Sequence, residues 1–198
     1  SDSFNIPVYS TQAVHEGIAK NWCVKKKVSP NQVRYVEKGK TQQIGDFTVT
    51  PFAVPHDSSD CVGYCVQCEG ITFTLVTDCG HVTEEICAFV AKANYLVIEA
   101  NHEVEKLMAG PYPLYLKERI TSQIGHLSNA ECAQTIVENA TENLKHVWLC
   151  HLSDENNHPE LARIAVTSLM ESYGLRAGVD FIVEVLRRKI PSEIYDLK

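Results

Sequence analysis

ITFTLVTDCG, residues 71–80, alternates branched or aromatic residues with smaller ones and then stops abruptly at Asp78-Cys79-Gly80. Alternation with a period of two is the signature of a β-strand, and an Asp-x-Gly stop marks a sharp turn. This strand therefore carries a carboxylate to one edge of a sheet. Glu69-Gly70 is a turn signal just upstream, and VGYCVQC (62–68) beyond it is a second strand. FTVTPFAVP (47–55) is a third, and it runs straight into His56. Strands at 47–54, 62–68 and 71–77 read together as an antiparallel meander.

Outward from this meander the pattern changes. Further strands are expected near 6–9, 95–100, 146–151 and 180–186, and helical periodicity appears near 11–20, 82–93, 101–109, 113–123, 128–141 and 157–173. Thr83 stands where a helix N-cap belongs, as does Ser128 or Asn129. Strands that alternate with helices imply an α/β fold with helices outside packed sheets. No repeat, low-complexity tract or linker interrupts residues 1–198, so a single domain is expected.

The chain has 198 residues, 44% hydrophobic and 22% charged, with a formal net charge of −7. That balance is ordinary for a soluble protein. No apolar run approaches the roughly 20 residues that span a bilayer. SDSFNIPVYS at the start has neither the basic residues nor the apolar stretch of a signal peptide. Of eight cysteines, Cys65, Cys132 and Cys150 lie in apolar patterns and pack like small hydrophobes. Cys61, Cys65 and Cys68 have a metal-like spacing, but Cys65 and Cys68 would point to opposite faces of a strand. Reduced thiols, and hence a cytoplasmic location, are the expectation. The negative charge argues against broad electrostatic binding of nucleic acid. It leaves a nuclease open, because bound cations attract a phosphate locally. Lys25-Lys26-Lys27 and Arg187-Arg188-Lys189 are read as solvated surface.

Five polar residues recur at the ends of apolar runs: His56, Asp78, Glu99 after YLVI, His126 in IGHLSN, and His151 after HVWLC. A histidine that follows an almost wholly apolar strand, as His151 does, must find a hydrogen bond or a metal. His56 beside Asp57 suits a metal ligand oriented by a carboxylate, or a plain loop histidine. Asp78 suits a carboxylate that bridges cations, or a turn former. Glu99 and His126 suit a pair in which the carboxylate holds an imidazole ready as a general acid. Their ordered recurrence favours a site assembled from several loops. No His-x-His pair occurs anywhere in the chain.

The order PHDSSDCVGY, LVTDCG, IEANH, GHLSNAECA and LCHLS resembles the metallo-β-lactamase fold superfamily, over Ile6 to about Leu186. More narrowly it is similar to the YycJ/WalJ-type branch, related to ribonuclease Z and the β-CASP nucleases. The resemblance implies an αββα sandwich and a dinuclear zinc or manganese centre. It makes His56, Asp78 and His151 metal ligands, with Asp78 bridging and so also catalytic. It makes Glu99 and His126 a dyad that assists cleavage of a phosphodiester in DNA or RNA. No role is carried onto His81 or His102. The family's His-x-His-x-Asp-His loop has no counterpart here, so the first sheet is expected to be incomplete. The chain would supply only half of the two-metal site and be inactive alone. A thioester or lactam hydrolase and a degenerate, non-catalytic domain are the alternatives. Nothing in the sequence sets the oligomeric state.

Overall fold

The computed structural model describes residues 4–198. Among them, β3 (Gln42–Ile44), β4 (Phe47–Ala53), β5 (Val62–Cys68), β6 (Ile71–Val76), β7 (Tyr95–Glu99), β8 (His146–Cys150) and β9 (Ile182–Val185) form one sheet in that order. The first four are antiparallel and the last four parallel, with β6 shared by both halves. The parallel half needs crossovers, and helices supply them. These are α2 (Glu84–Lys92), then α3 (Val104–Ala109), α4 (Leu114–Ile120) and α5 (Asn129–Asn139), and lastly α6 (Pro159–Ser172). The meander and the alternation expected from sequence are both present.

Local chemistry fixes the helix starts. The Thr83 hydroxyl accepts from the Ile86 N–H, and Ser128 forms a reciprocal capping box with Glu131 at the head of α5. Of the two candidates for that cap, Ser128 holds it. The α5 cap matters to the site, since His126 lies two residues before it.

The two faces of the sheet differ. On one, Phe52, Cys65, Val76, Leu96, Ile98, Val147 and Leu149 are buried in a continuous core with Ile86, Val90, Ile136, Val166 and Met170 from α2, α5 and α6. Each large apolar side chain so buried contributes about 1.5–3 kcal/mol. Gly63 is required here, because a Cβ would lie 2.3 Å from the Phe52 ring. On the other face Tyr64, Val66, Phe73, Leu75 and Val97 stand in register and remain half-buried. Part of that face is covered by Tyr195, whose ring sits 4.8 Å from Trp148. A pair of short parallel strands, β1 (Val8–Ser10) and β2 (Val33–Tyr35), flanks α1 (Gln12–Lys20), and Ser10 bonds the Tyr64 hydroxyl. Both faces are apolar, as a sheet in a layered sandwich requires, and α2, α5 and α6 pack on the first.

All eight cysteines are free thiols. Cys65 is buried and Cys61 and Cys68 are half-buried; they form no metal-holding group among the described residues. Among the described residues no helix is long and apolar enough to cross a membrane.

Candidate metal centre

Parallel strands deliver their carboxyl ends to one edge, the usual place for a site in such a sheet. Asp78 follows β6, Glu99 closes β7 and His151 follows β8. Asp78 and His151 both have φ of 55°, in the left-handed region. That conformation turns the chain sharply at the strand end, and Asp and His are among the few residues enriched there. His56 arrives from the loop after β4, and His126 from the loop between α4 and α5.

Glu99 is the hub. Its side chain is fully buried, and its oxygens accept from Asp78 N at 2.7 Å, Leu127 N at 2.8 Å, His151 Nδ1 at 2.9 Å and His126 Nδ1 at 3.2 Å. Burial pushes the Glu99 carboxyl up, but the hydrogen bonds and charges of His126 and His151 outweigh it and hold it below its ordinary range. The same bond raises His151. The expected pairing of Glu99 with His126 is present, and Glu99 also lies at the floor and holds His151 and the Asp78 backbone. Nothing in YLVIE marks that role, because its partners lie 21 to 52 positions away.

The three histidines are oriented alike. Nδ1 of His56 bonds the Gly125 carbonyl at 2.9 Å, while Nδ1 of His126 and of His151 bonds Glu99. A donating Nδ1 leaves Nε2 with its lone pair free. Nε2 of His56 and Nε2 of His151 each lie 3.6 Å from Asp78 Oδ1. Asp78, Glu99, His126 and His151 each offer a donor atom within 4.8 Å of the others. Because four donors already saturate the Glu99 oxygens, its chemistry is that of a carboxylate behind the ligands. Asp78 with the imidazoles of His56 and His151 is a donor set that suits zinc or manganese, and His126 stands beside it.

Loop packing holds this geometry. Gly80 N bonds Pro55 O at 2.7 Å, Asp57 N bonds Ile124 O at 3.0 Å, and His81 Nδ1 bonds Gln123 O at 2.7 Å. A Cβ on Gly80 would stand 2.5 Å from the 123–125 backbone, and one on Gly125 only 2.2 Å from Ile120 O. His81 thus joins two loops and stays outside the cluster. His102 is buried behind the α5 cap, bridged to Ser128, and burial holds its pKa down. Two residues went unnoticed in the sequence. Asn101 donates to His151 O at 2.9 Å, and its backbone N–H to Leu127 O at 2.9 Å, tying both histidine loops to β7. Arg119 clasps Asp57 through two nitrogens and holds that carboxyl low.

The cluster floors an open cleft of about 600 Å3 that also includes Tyr112, Leu116, Ile120, Arg119, Arg187 and Arg188. The last two are exposed, as expected of them, and they also line this cleft.

The shared pattern of the beta-lactamase superfamily domain matches residues 2–151. The chain is 31% identical over 195 residues to exodeoxyribonuclease YycJ of Bacillus anthracis, covering 96% of this chain and 71% of that one. It is 38% identical over 157 residues to exodeoxyribonuclease WalJ of Streptococcus pneumoniae, covering 79% and 58%. The crystal structure of the metallo-beta-lactamase fold protein YhfI from Bacillus subtilis superposes with a TM-score of 0.64 at 16% identity. That match covers 94% of this chain and 64% of the other. The chain spans less than two thirds of the WalJ and YhfI chains. These likenesses, and the sheet that carries the cluster, make the chain a member of the metallo-β-lactamase fold superfamily, in the branch of the YycJ and WalJ exodeoxyribonucleases.

Proposed function

We propose that the protein is a metal-dependent phosphodiester hydrolase acting on nucleic acid, DNA by analogy with the exodeoxyribonuclease relatives. The observation that carries this reading is the convergence of Asp78, His126 and His151 on one buried carboxylate, Glu99, with His56 brought alongside at 3.6 Å from Asp78 Oδ1. His56, Asp78 and His151 are the residues that would hold the metal. Divalent ions at such a site lower the pKa of a bound water and neutralise phosphate oxygens.

The protein's own groups do the rest. Glu99 fixes the tautomers of His126 and His151, so that each presents Nε2 to the cleft. His126, with Nδ1 engaged, is placed to give the proton on Nε2 to a departing alkoxide when it is cationic, and Glu99 stabilises that cation. Burial of Glu99 keeps water from competing for those bonds. A thioester or lactam hydrolase has no comparable need for this dyad, which favours the phosphodiesterase.

The test is metal content by elemental analysis together with hydrolysis of a labelled oligonucleotide. Bound zinc or manganese and metal-dependent cleavage are expected in the full-length protein. Metal binding without cleavage of any oligonucleotide would refute the nuclease assignment, and absence of metal would refute the centre.

A further inference from the structure

Above the histidine floor the cleft has two unlike walls. Tyr112, Leu116 and Ile120 recur every fourth residue, so they share one face of α4 and the turn that leads into it. Arg187 and Arg188 follow directly from β9 and line the same space. For a chain of net charge −7, arginines gathered at the one cleft that holds the histidine cluster run against the average. They are also incompletely neutralised. Arg188 Nη1 shares Asp154 with Lys189, at 3.5 and 3.7 Å, and Arg187 has no acidic partner among the described residues.

We propose that the cleft receives a single strand of nucleic acid, with its phosphates on Arg187 and Arg188 and a base on the Tyr112–Leu116–Ile120 face. The inference rests on the phosphodiesterase reading and narrows it, because a small phosphodiester has no second phosphate for the arginine wall. A guanidinium matches phosphate oxygens in a planar, two-pronged geometry. An aromatic and aliphatic wall accepts any base by its π-face, without reading sequence. Arg119, already clasped by Asp57, stiffens the wall that faces the floor.

The test is fluorescence anisotropy of a short single-stranded oligonucleotide with full-length protein in chelator, where no cleavage occurs, as a function of salt. Each lost phosphate contact lowers the log–log salt slope by about 0.7 on single strands. Arg187→Glu with Arg188→Glu should therefore flatten the slope by about 1.4 and weaken binding at least tenfold. Tyr112→Ala should weaken binding about tenfold and leave the slope alone. Lys25→Glu with Lys26→Glu makes the same change of charge at an exposed run away from the cleft, and should leave the slope unaltered. Should the double reversal not fold, as judged by circular dichroism, Arg187→Gln should give about half the change in slope. An unchanged slope in the arginine variants, or an equal change in the lysine variant, overturns the proposal and leaves the hydrolase reading intact. Absence of oligonucleotide binding by the unaltered protein also overturns it, while metal-dependent hydrolysis of a small diester would show that the centre itself is sound.

Discussion

Glu99→Gln isolates the buried hub, since it keeps the shape and removes the charge and half of the accepting capacity. The carboxylate now takes hydrogen bonds from two backbone N–H groups and two imidazoles. An amide retains one acceptor oxygen. If that oxygen stays with Leu127 N, the NH2 group faces the Asp78 N–H and His151 Nδ1. Stranding a buried backbone donor costs about 1–3 kcal/mol, and losing charge assistance on the remaining bonds adds to it. A total near 3 kcal/mol corresponds to a drop in Tm of about 6–12 °C for a protein of this size. The imidazoles also lose the carboxylate that fixes their tautomer, so metal affinity should fall about 10–100-fold. Differential scanning calorimetry on metal-free protein reads the first effect, and competition with a chelating dye reads the second. A variant that melts within about 2 °C of the parent, with unaltered metal affinity, would show that the four bonds do not hold the site together.

His126→Ala should lower turnover about a hundredfold with metal content preserved, as loss of a proton donor does; loss of metal would make His126 a ligand instead. Gly125→Ala should cost about 2 kcal/mol, because its Cβ meets the Ile120 carbonyl at 2.2 Å and the 123–126 loop must move, which thermal melting would detect. Native protein at pH 8 should react rapidly with a disulfide reagent at exposed Cys23, whereas buried Cys79, pushed up to about 12 by burial, should react only on unfolding. Fast labelling of Cys79 in mass spectra would mean that the packing behind the cleft floor opens to solvent.

The strands were legible where burial writes itself into the pattern. ITFTLV faces packed helices on one side and a half-covered surface on the other, so its residues alternate, and the structure returns β6 over Ile71–Val76. Val33–Tyr35 and Gln42–Ile44 were not foreseen, because each is three residues long, largely exposed, and held by pairing rather than by an apolar face. At the centre, the positions of His56, Asp78 and His151 followed from their place after strands. What joins them did not. The reach from Glu99 to His151, and from Asn101 to the His151 carbonyl, depends on β7 lying beside β8, a register that only the folded sheet supplies. Arg187 and Arg188 looked like any basic run until β9 brought them to the cleft.

The left-handed backbone at Asp78 and His151 restricts the alphabet from which this centre can be rewritten. Each position is selected twice, once for what the side chain binds and once for whether its backbone tolerates φ of 55°. Asn and His pass the second criterion and β-branched residues fail it. Attempts to retune the centre for another cation by exchanging these two side chains therefore start from a short menu. Broader variation is available at His56 and His126, whose backbones carry no such restriction.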